Sequence, residues 1–254
     1  MTKMHTLNTG DQIPAIGLGT WQLDGDSAYY GVKLAVEIGY RHLDCAHIYG
    51  NEVNIGRALR EILQTVDRGE LWVTSKLWND CHRPEHVQPA LKTTLANLQL
   101  DHLDLYLIHW PIAHRPGVIR PDVGQDFESL EEIPLIETWQ AMEACVRSGL
   151  CRNIGVANFN IPKLQNLIRN ASIAPAMNQV EAHPFLQQND LLKSCQANDI
   201  VFTAYSPLGS KTRPERLSKD NEPSLFEHPE IIRIAKKHDK TAAQILLAWA
   251  ICRG

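Results

Sequence analysis

The sequence predicts an α/β fold of the (β/α)8 TIM barrel type, and three observations support this. Runs with the two-residue spacing of strands alternate with runs at helical spacing along almost the whole chain. The strand runs are nearly continuous in apolar residues, which is typical of a parallel sheet covered by helices. The length of 254 residues is close to that of one such barrel. We therefore predict a single domain over residues 1–254.

The chain begins with a predicted β-hairpin outside the barrel alternation. Thr6 and Leu7 face Gln12 and Ile13 across a turn-rich connector, and we expect this hairpin to cap the barrel. The next strand, residues 16–19, carries glycines where another chain or a ligand must come close. Its G-x-G pattern lacks the third glycine and the later acidic residue of a dinucleotide-binding fingerprint, so that interpretation is weak.

The remaining elements follow the alternation of strand and helix. A proline in the first turn of helix 84–97 and a threonine cap before the last helix mark helix starts. An eighth strand is not found, so we predict a barrel with two unpaired edges. The predicted strands are 16–19, 42–44, 71–75, 103–108, 153–157, 176–180 and 200–204, and the predicted helices are 27–38, 51–63, 84–97, 135–147, 162–169, 190–197, 229–237 and 241–252.

Two polar segments interrupt this rhythm, at residues 113–132 and 210–224. A long loop inside a compact domain is usually functional or mobile. We therefore expect segment 113–132 to be either functional or mobile.

Composition narrows the possible partners. The net charge of −4 and the absence of a basic stripe argue against nucleic acid and anionic membranes. The six cysteines form no C-x-x-C pair, which favours a reducing compartment. No apolar run is long enough to span a bilayer. We expect a monomeric, cytoplasmic protein that binds a small molecule.

Polar or aromatic residues follow every predicted strand at its carboxyl end, where barrel enzymes hold their chemistry. Because these ends meet at one face of a barrel, the sequence predicts a site there. The residues are Thr20 and Trp21, Asp44, Lys76, His109, Asn158, Gln179 to Glu181, and Tyr205.

Three of these residues, Asp44, Lys76 and His109, suggest proton transfer together with Tyr49, which lies five residues after Asp44. An unperturbed phenol holds its proton too tightly for efficient transfer at neutral pH. We expect Lys76, held by Asp44, to lower the pKa of Tyr49, and His109 to orient a substrate oxygen. Lysine and tyrosine do not form a usual divalent-metal site, so we predict no metal.

Simpler structural roles are open for the same residues. Asp44 and Lys76 could form an ion pair with no chemical role, and each of Trp21, Trp78 and Trp110 could be an ordinary core aromatic. His82 and His86, four residues apart, lack a further ligand that would complete a metal site.

Seven strings together resemble the aldo-keto reductase family. They are GLGTWQ (17–22), LDCAHIYGNE (43–52), LWVTSKLW (71–78), LDLYLIHWP (103–111), IGVANFN (154–160), NQVEAHPF (178–185) and AYSPLGS (204–210). The similarity runs from about residue 6 to the end of the chain.

The resemblance implies NAD(P)H-dependent reduction of a bulky aldehyde or ketone, with NADPH as cofactor and NADH as the alternative. It implies that Tyr49 is the proton donor, that Asp44 and Lys76 tune it, and that His109 orients the carbonyl. For cofactor binding it implies Thr20, Trp21, Asp44, Asn158, Gln179, Tyr205, Ser206, Leu208 and Ser210. For substrate binding it implies Trp21, Ile48, Trp78, His109 and Trp110.

Departures from the family pattern lead to further expectations. Ala157 stands where the family usually has serine, so one hydrogen bond to the cofactor is expected to be missing. Family members continue beyond the equivalent of residue 254 with an eighth strand, a last helix and a tail that closes the pocket. We therefore expect a C-terminally incomplete barrel, and the alternative function is a weakly active or inactive barrel with a binding or regulatory role.

Overall fold

The computed structural model describes residues 3–210, 213 and 223–253. Its first element is the predicted N-terminal hairpin, in which β1 (Met4–Thr6) and β2 (Gln12–Pro14) pair antiparallel. Leu7 and Ile13 from this hairpin pack with Trp72 and Leu105 in one buried apolar cluster. Since Trp72 and Leu105 belong to the barrel strands, the hairpin closes the interior of the barrel, as predicted.

A parallel sheet of seven strands forms the centre of the described residues. It curves into a nearly closed barrel, which confirms the predicted fold class. Its edge strands are β3 and β11, at the two ends of the strand order β11-β10-β9-β6-β5-β4-β3. The strands are β3 (Leu18–Gly19), β4 (His42–Asp44), β5 (Trp72–Leu77), β6 (Leu103–Ile108), β9 (Cys151–Ala157), β10 (Met177–Glu181) and β11 (Val201–Tyr205).

Eight α-helices lie within the described ranges, and six of them connect successive barrel strands. Asn160 caps α5 by accepting from the Lys163 amide at 3.0 Å. The helices are α1 (Gly25–Glu37), α2 (Glu52–Ile62), α3 (Pro84–Leu98), α4 (Leu135–Arg147), α5 (Ile161–Asn170), α6 (Asn189–Gln196), α7 (Pro229–His238) and α8 (Ala242–Arg253).

The strands place alternate side chains on opposite faces of the sheet. In β6, Tyr106 and Ile108 join the large cluster between sheet and helices, whereas Leu105 and Leu107 join the interior cluster. The same alternation in β5 points Thr74 and Lys76 inward and leaves Ser75 between them facing the helices. This strand therefore presents Lys76 to the barrel interior and Ser75 to the surrounding helices.

The segment after β6 is partly ordered by a second hairpin, in which β7 (Ala113–His114) pairs antiparallel with β8 (Phe127–Glu128). An ion pair between Arg83 and Glu128 ties it to the start of α3. Trp78 Nε1 donates to Ile119 O at 2.8 Å, which fastens residues 115–122 beside the barrel mouth.

Most of the predicted connector at 210–224 lies outside the described residues. Within the described part of the chain, no helix combines the length and the apolar character needed to cross a bilayer. All six cysteines are free thiols.

Candidate active site

A cavity of about 1220 Å³ opens at the carboxyl ends of the barrel strands. Of the barrel strands, β3, β4, β10 and β11 supply lining residues from their own length, and β5, β6 and β9 lead directly into the lining residues Trp78, His109 and Asn158. The predicted site residues that line it are Trp21, Asp44, Ile48, Tyr49, Trp78, His109, Trp110, Asn158, Gln179, Tyr205, Ser206 and Ser210.

Tyr49 is presented by a short 3-10 helix, His47–Tyr49, between β4 and α2. Gly50 ends this helix with a φ of 70°, a left-handed conformation that glycine adopts without strain. The next residue, Asn51, is buried and donates from Nδ2 to Thr20 O at 2.8 Å and Leu23 O at 2.7 Å. The turn that carries the phenol is therefore fixed to the loop after β3.

Lys76 lies beneath the cavity floor with 1% of its side chain exposed. Its Nζ donates to Asp44 Oδ1 and, at 2.9 Å, to Cys45 O. Burial alone would lower the pKa of Lys76, but the Asp44 carboxylate and the Tyr49 phenol raise it above its ordinary value. The ammonium therefore stays charged inside the barrel.

The pKa of Tyr49 differs from the expectation drawn from the sequence. Burial of the phenol raises its pKa, and Lys76, whose Nζ lies 5.4 Å from the ring centre, offsets this only in part. Asp44 also raises it. The predicted net lowering by Lys76 is therefore wrong for this structure, because desolvation outweighs the nearby ammonium. Tyr49 is a fully protonated phenol at neutral pH.

His109 faces Tyr49 across the cavity, with ring centres 5.9 Å apart and nearly perpendicular. Trp78 packs against its other side at 5.1 Å. Burial and the charge of Lys76 hold the pKa of His109 well below its usual range. His109 is therefore a neutral imidazole, which can donate one hydrogen bond without carrying charge.

Asn158, Gln179 and Tyr205 form one wall of the cavity. Asn158 has a φ of 63°, donates to His109 O at 2.9 Å and accepts from the Tyr205 hydroxyl at 3.0 Å. Gln179 Nε2 donates to Asp44 Oδ2 at 2.7 Å. Side-chain amides offer both donors and acceptors, and a phenol offers a flat ring face. This donor set fits the carboxamide and ring of a nicotinamide.

Two residues predicted to bind the cofactor do not line the cavity. Thr20 is buried, and its hydroxyl donates to Asp44 O at 2.9 Å, so it supports the strand end from beneath. Leu208 packs against Leu225, Ile231 and Leu246. The cofactor contact expected at Leu208 stays a prediction.

Other lining residues were not predicted from the sequence. Ile119 and Arg120 come from the segment after β7, and Trp249 and Ile251 come from α8. Glu181, which was among the polar residues predicted at the strand ends, also lines the cavity and accepts from Arg213 at 2.7 Å. The length of the segment 113–132 indicated a functional or mobile loop. The sequence of α8, in contrast, has no feature that distinguishes a helix lining a cavity from an ordinary buried helix.

The arrangement suits acid catalysis on a polar double bond. A protonated phenol and a neutral imidazole face one space, and the buried ammonium beneath them can stabilise the anion that the phenol leaves. Among the described residues, no group of three or more histidine, cysteine or acidic side chains could hold a metal ion.

Comparison with known proteins adds independent information. The profile of the Aldo/keto reductase family matches residues 15–253. An aldo/keto reductase of Synechocystis sp. is 50% identical over 254 residues, which cover 99% of this chain and 78% of that protein. Aldo-keto reductase family 1 member A1 from Bos taurus and from Homo sapiens are each 47% identical over 251 residues, covering 97% of this chain and 77% of theirs.

Proposed function

Because this chain belongs to the aldo/keto reductase family, we propose that it reduces aldehydes and ketones to alcohols with hydride from NAD(P)H and that Tyr49 gives the proton. One observation carries the assignment of the residues: the phenol of Tyr49 and the imidazole of His109 face each other across one cavity, above the buried Lys76–Asp44 pair. The substrate is a small-molecule carbonyl compound.

His109 positions the carbonyl in this proposal. Since its ring is neutral, a ring N–H donates to the carbonyl oxygen without protonating it in advance. The ring cannot tilt freely, because Trp78 packs against one side and Tyr49 lies on the other. The carbonyl oxygen is thereby held within reach of the Tyr49 hydroxyl.

Tyr49 supplies the proton as charge develops on that oxygen. NAD(P)H, when bound, would supply the hydride that reaches the carbonyl carbon and would leave as NAD(P)+. The Tyr49 O–H bond breaks as the new alcohol O–H bond forms, and the resulting phenolate lies beside the Lys76 ammonium. Asp44 keeps that ammonium charged and in place, and Gln179 and Cys45 O hold the pair from two sides. The raised pKa of the free phenol makes the ammonium necessary at this step.

Asn158, Gln179 and Tyr205 would hold the nicotinamide end of the cofactor through amide hydrogen bonds and ring stacking. Trp21, Ser206 and Ser210 extend this surface along the cavity. Ala157 offers no hydroxyl where the family usually has serine, which removes about 1 kcal/mol of cofactor affinity. We propose NADPH as the preferred cofactor, on the resemblance to the family.

Ile48, Trp78 and Trp110 form the apolar side of the cavity that would receive the substrate. Their size favours a bulky aldehyde or ketone over a small one. We further propose that the protein is cytoplasmic, since its six cysteines are free, and, on the resemblance to the family, that it is a monomer. The alternative role of a binding barrel without catalysis is not favoured, because the matched relatives are reductases over nearly the whole chain.

The proposal is tested by the oxidation of NADPH in the presence of an aromatic aldehyde. Tyr49→Phe removes only the hydroxyl, and we expect kcat to fall by at least about 10²-fold, the usual size of a general-acid contribution. Tyr30→Phe is the matched control, because Tyr30 is 66% exposed on α1 and far from the cavity lining. Equal rates for wild type and Tyr49→Phe would refute the role of Tyr49. Absence of turnover in the wild type would refute the activity itself.

A further inference from the structure

A buried carboxylate that the mechanism does not use lies three residues after Tyr49. Glu52 is the first residue of α2, and its side chain is 2% exposed. It lies outside the barrel, between the sheet and the helices, and is not among the residues that line the cavity. A carboxylate in such a place is costly unless its oxygens are paired, so its partners reveal what it holds together.

Glu52 joins three separate elements. Ser75 Oγ donates to Oε1 at 2.7 Å, and Thr94 Oγ1 donates to Oε2 at 3.2 Å. His47 Nδ1 lies 3.7 Å from Oε2. Ser75 directly precedes Lys76 in β5, and His47 begins the 3-10 helix that ends in Tyr49. One carboxylate therefore connects the strand bearing the ammonium to the turn bearing the phenol.

Of the three contacts of Glu52, only the one with His47 involves a partner that changes charge near neutral pH. The His47 side chain is 40% exposed, so solvent protons reach it. Glu52 raises the pKa of His47, burial opposes this, and Asp80 on the neighbouring 3-10 helix Asn79–Cys81 raises it further. The hydroxyls of Ser75 and Thr94 keep their hydrogen bonds at any physiological pH.

The opposite side of the same turn is held without charge. Asn51 binds Thr20 O and Leu23 O through its amide, and this contact does not change with pH. When His47 is protonated, the turn is clamped from both sides. When His47 is neutral, the Glu52 side loses its ionic contact while the amide side remains.

We propose that Glu52 is a positioning residue for the proton donor and that His47 is the titratable contact through which pH shifts the placement of Tyr49. This inference rests on the proposed reductase function. The ion pair between His47 and Glu52 is present at low pH, and it is lost as the pH rises through the raised pKa of His47. Proton transfer should therefore weaken on the alkaline side, with the Asp44–Lys76 pair unaffected.

The first experiment needs no activity. The ring of His47 is titrated by NMR in the wild type and in Glu52→Gln, which keeps an acceptor for Ser75 but removes the charge. We expect the pKa of His47 to lie above its ordinary value in the wild type and to fall in the variant. An unchanged pKa would overturn the pairing.

The second experiment measures kcat/KM for an aromatic aldehyde from about pH 6 to about pH 8, where histidine changes charge. We expect a decrease of about threefold across this range in the wild type, the size suited to a partly exposed pair. This decrease of kcat/KM with rising pH, called the pH step below, should be absent in His47→Gln and in Glu52→Gln. Since His47 is near the surface, its variant folds even if Glu52→Gln is unstable.

The control is Glu143→Gln. Glu143 is equally buried, but it binds the amides of Ser172 and Ile173, remote from the cavity. We expect it to lower stability and leave the pH step intact. A pH step that survives in both His47→Gln and Glu52→Gln, or a flat wild-type profile, would overturn the inference. A wild type without any turnover would instead refute the proposed function, and the positioning role with it.

Discussion

Gln179 donates a hydrogen bond of 2.7 Å to the same Asp44 carboxylate that accepts from Lys76, one on each oxygen. The carboxylate is thereby fixed between β5 and β10, on different sides of the barrel. Because one oxygen accepts from the ammonium and the other from the amide of Gln179, the proposed proton-transfer residues and the candidate cofactor wall are both attached to Asp44.

Asp44→Asn should destabilise the protein strongly, because it leaves the Lys76 ammonium buried without a counter-charge. Breaking a buried ion pair by removing one partner costs about 3 kcal/mol or more of unfolding free energy. Urea denaturation measures this. The double variant Asp44→Asn/Lys76→Met should recover much of the lost stability and remain inactive. A single variant as stable as the wild type would contradict the structural importance of the pair.

Tyr205→Ala should weaken cofactor binding more than Tyr205→Phe. The phenylalanine variant keeps the ring and loses only the hydroxyl contact to Asn158. One neutral hydrogen bond contributes about 1 kcal/mol, whereas loss of a stacked ring costs about 1–3 kcal/mol by analogy with bases on aromatic platforms. Cofactor Kd from quenching of tryptophan fluorescence separates the two. Equal affinity in both variants would show that the ring face is not used.

Two glycines, Gly17 just before β3 and Gly19 at its end, should respond differently to alanine. A Cβ on Gly17 would lie 2.6 Å from His42 Nδ1, and that ring is buried and bonded to Thr74. Such overpacking costs about 1–3 kcal/mol, which thermal or urea denaturation detects. Gly19 has no atom within 4 Å of a Cβ and borders the cavity. Gly19→Ala should therefore fold normally and raise KM for the cofactor, and the reverse pattern would refute the strand's placement.

The free energy of unfolding should decrease in acid, in part because His82 is buried in its neutral form. Burial lowers the pKa of His82 to about 3, and neither ring nitrogen has a partner among the described residues. Because the folded pKa is below the ordinary 6.5, the unfolded chain binds the proton first. The free energy of unfolding therefore decreases as pH drops from 6.5 toward 3, by at most about 1.4 kcal/mol per pH unit from this residue.

The test compares the slope of unfolding free energy against pH in the wild type and in His82→Gln. A shallower slope is expected in the variant. His238→Gln, which alters an exposed histidine at the end of α7, should keep the wild-type slope. An identical slope in all three proteins would mean that His82 has the same pKa in the folded and unfolded chains, which would contradict the prediction.

Strands with continuous apolar residues could be predicted closely from the sequence. The predicted 42–44 and 103–108 coincide with β4 and β6, because their side chains are buried on both faces. The hairpin of β7 and β8 was missed, since strands of two residues are too short for any periodicity. Their pairing depends on contacts with α3 that no local pattern records.

From the residue types at the strand ends, we could predict which side chains belong to the candidate site. Their pKa values could not be predicted in this way. The spacing brought Tyr49 and Lys76 together correctly, yet the pKa of Tyr49 depends on how much water reaches the phenol, which only the packed structure determines. The cofactor contact expected at Leu208 came from resemblance alone and stays a prediction. The structure adds only that its side chain packs with Leu225, Ile231 and Leu246.

The contact between Trp78 and the segment after β7 has a consequence for how such an enzyme can diversify. Trp78 holds that segment through the main-chain oxygen of Ile119, so the attachment does not depend on which side chains the segment carries. Loop sequences could then be exchanged by engineering, altering which carbonyl compounds enter, while the layer of Tyr49 and Lys76 beneath stays intact. Selectivity and chemistry are in this sense separately replaceable modules.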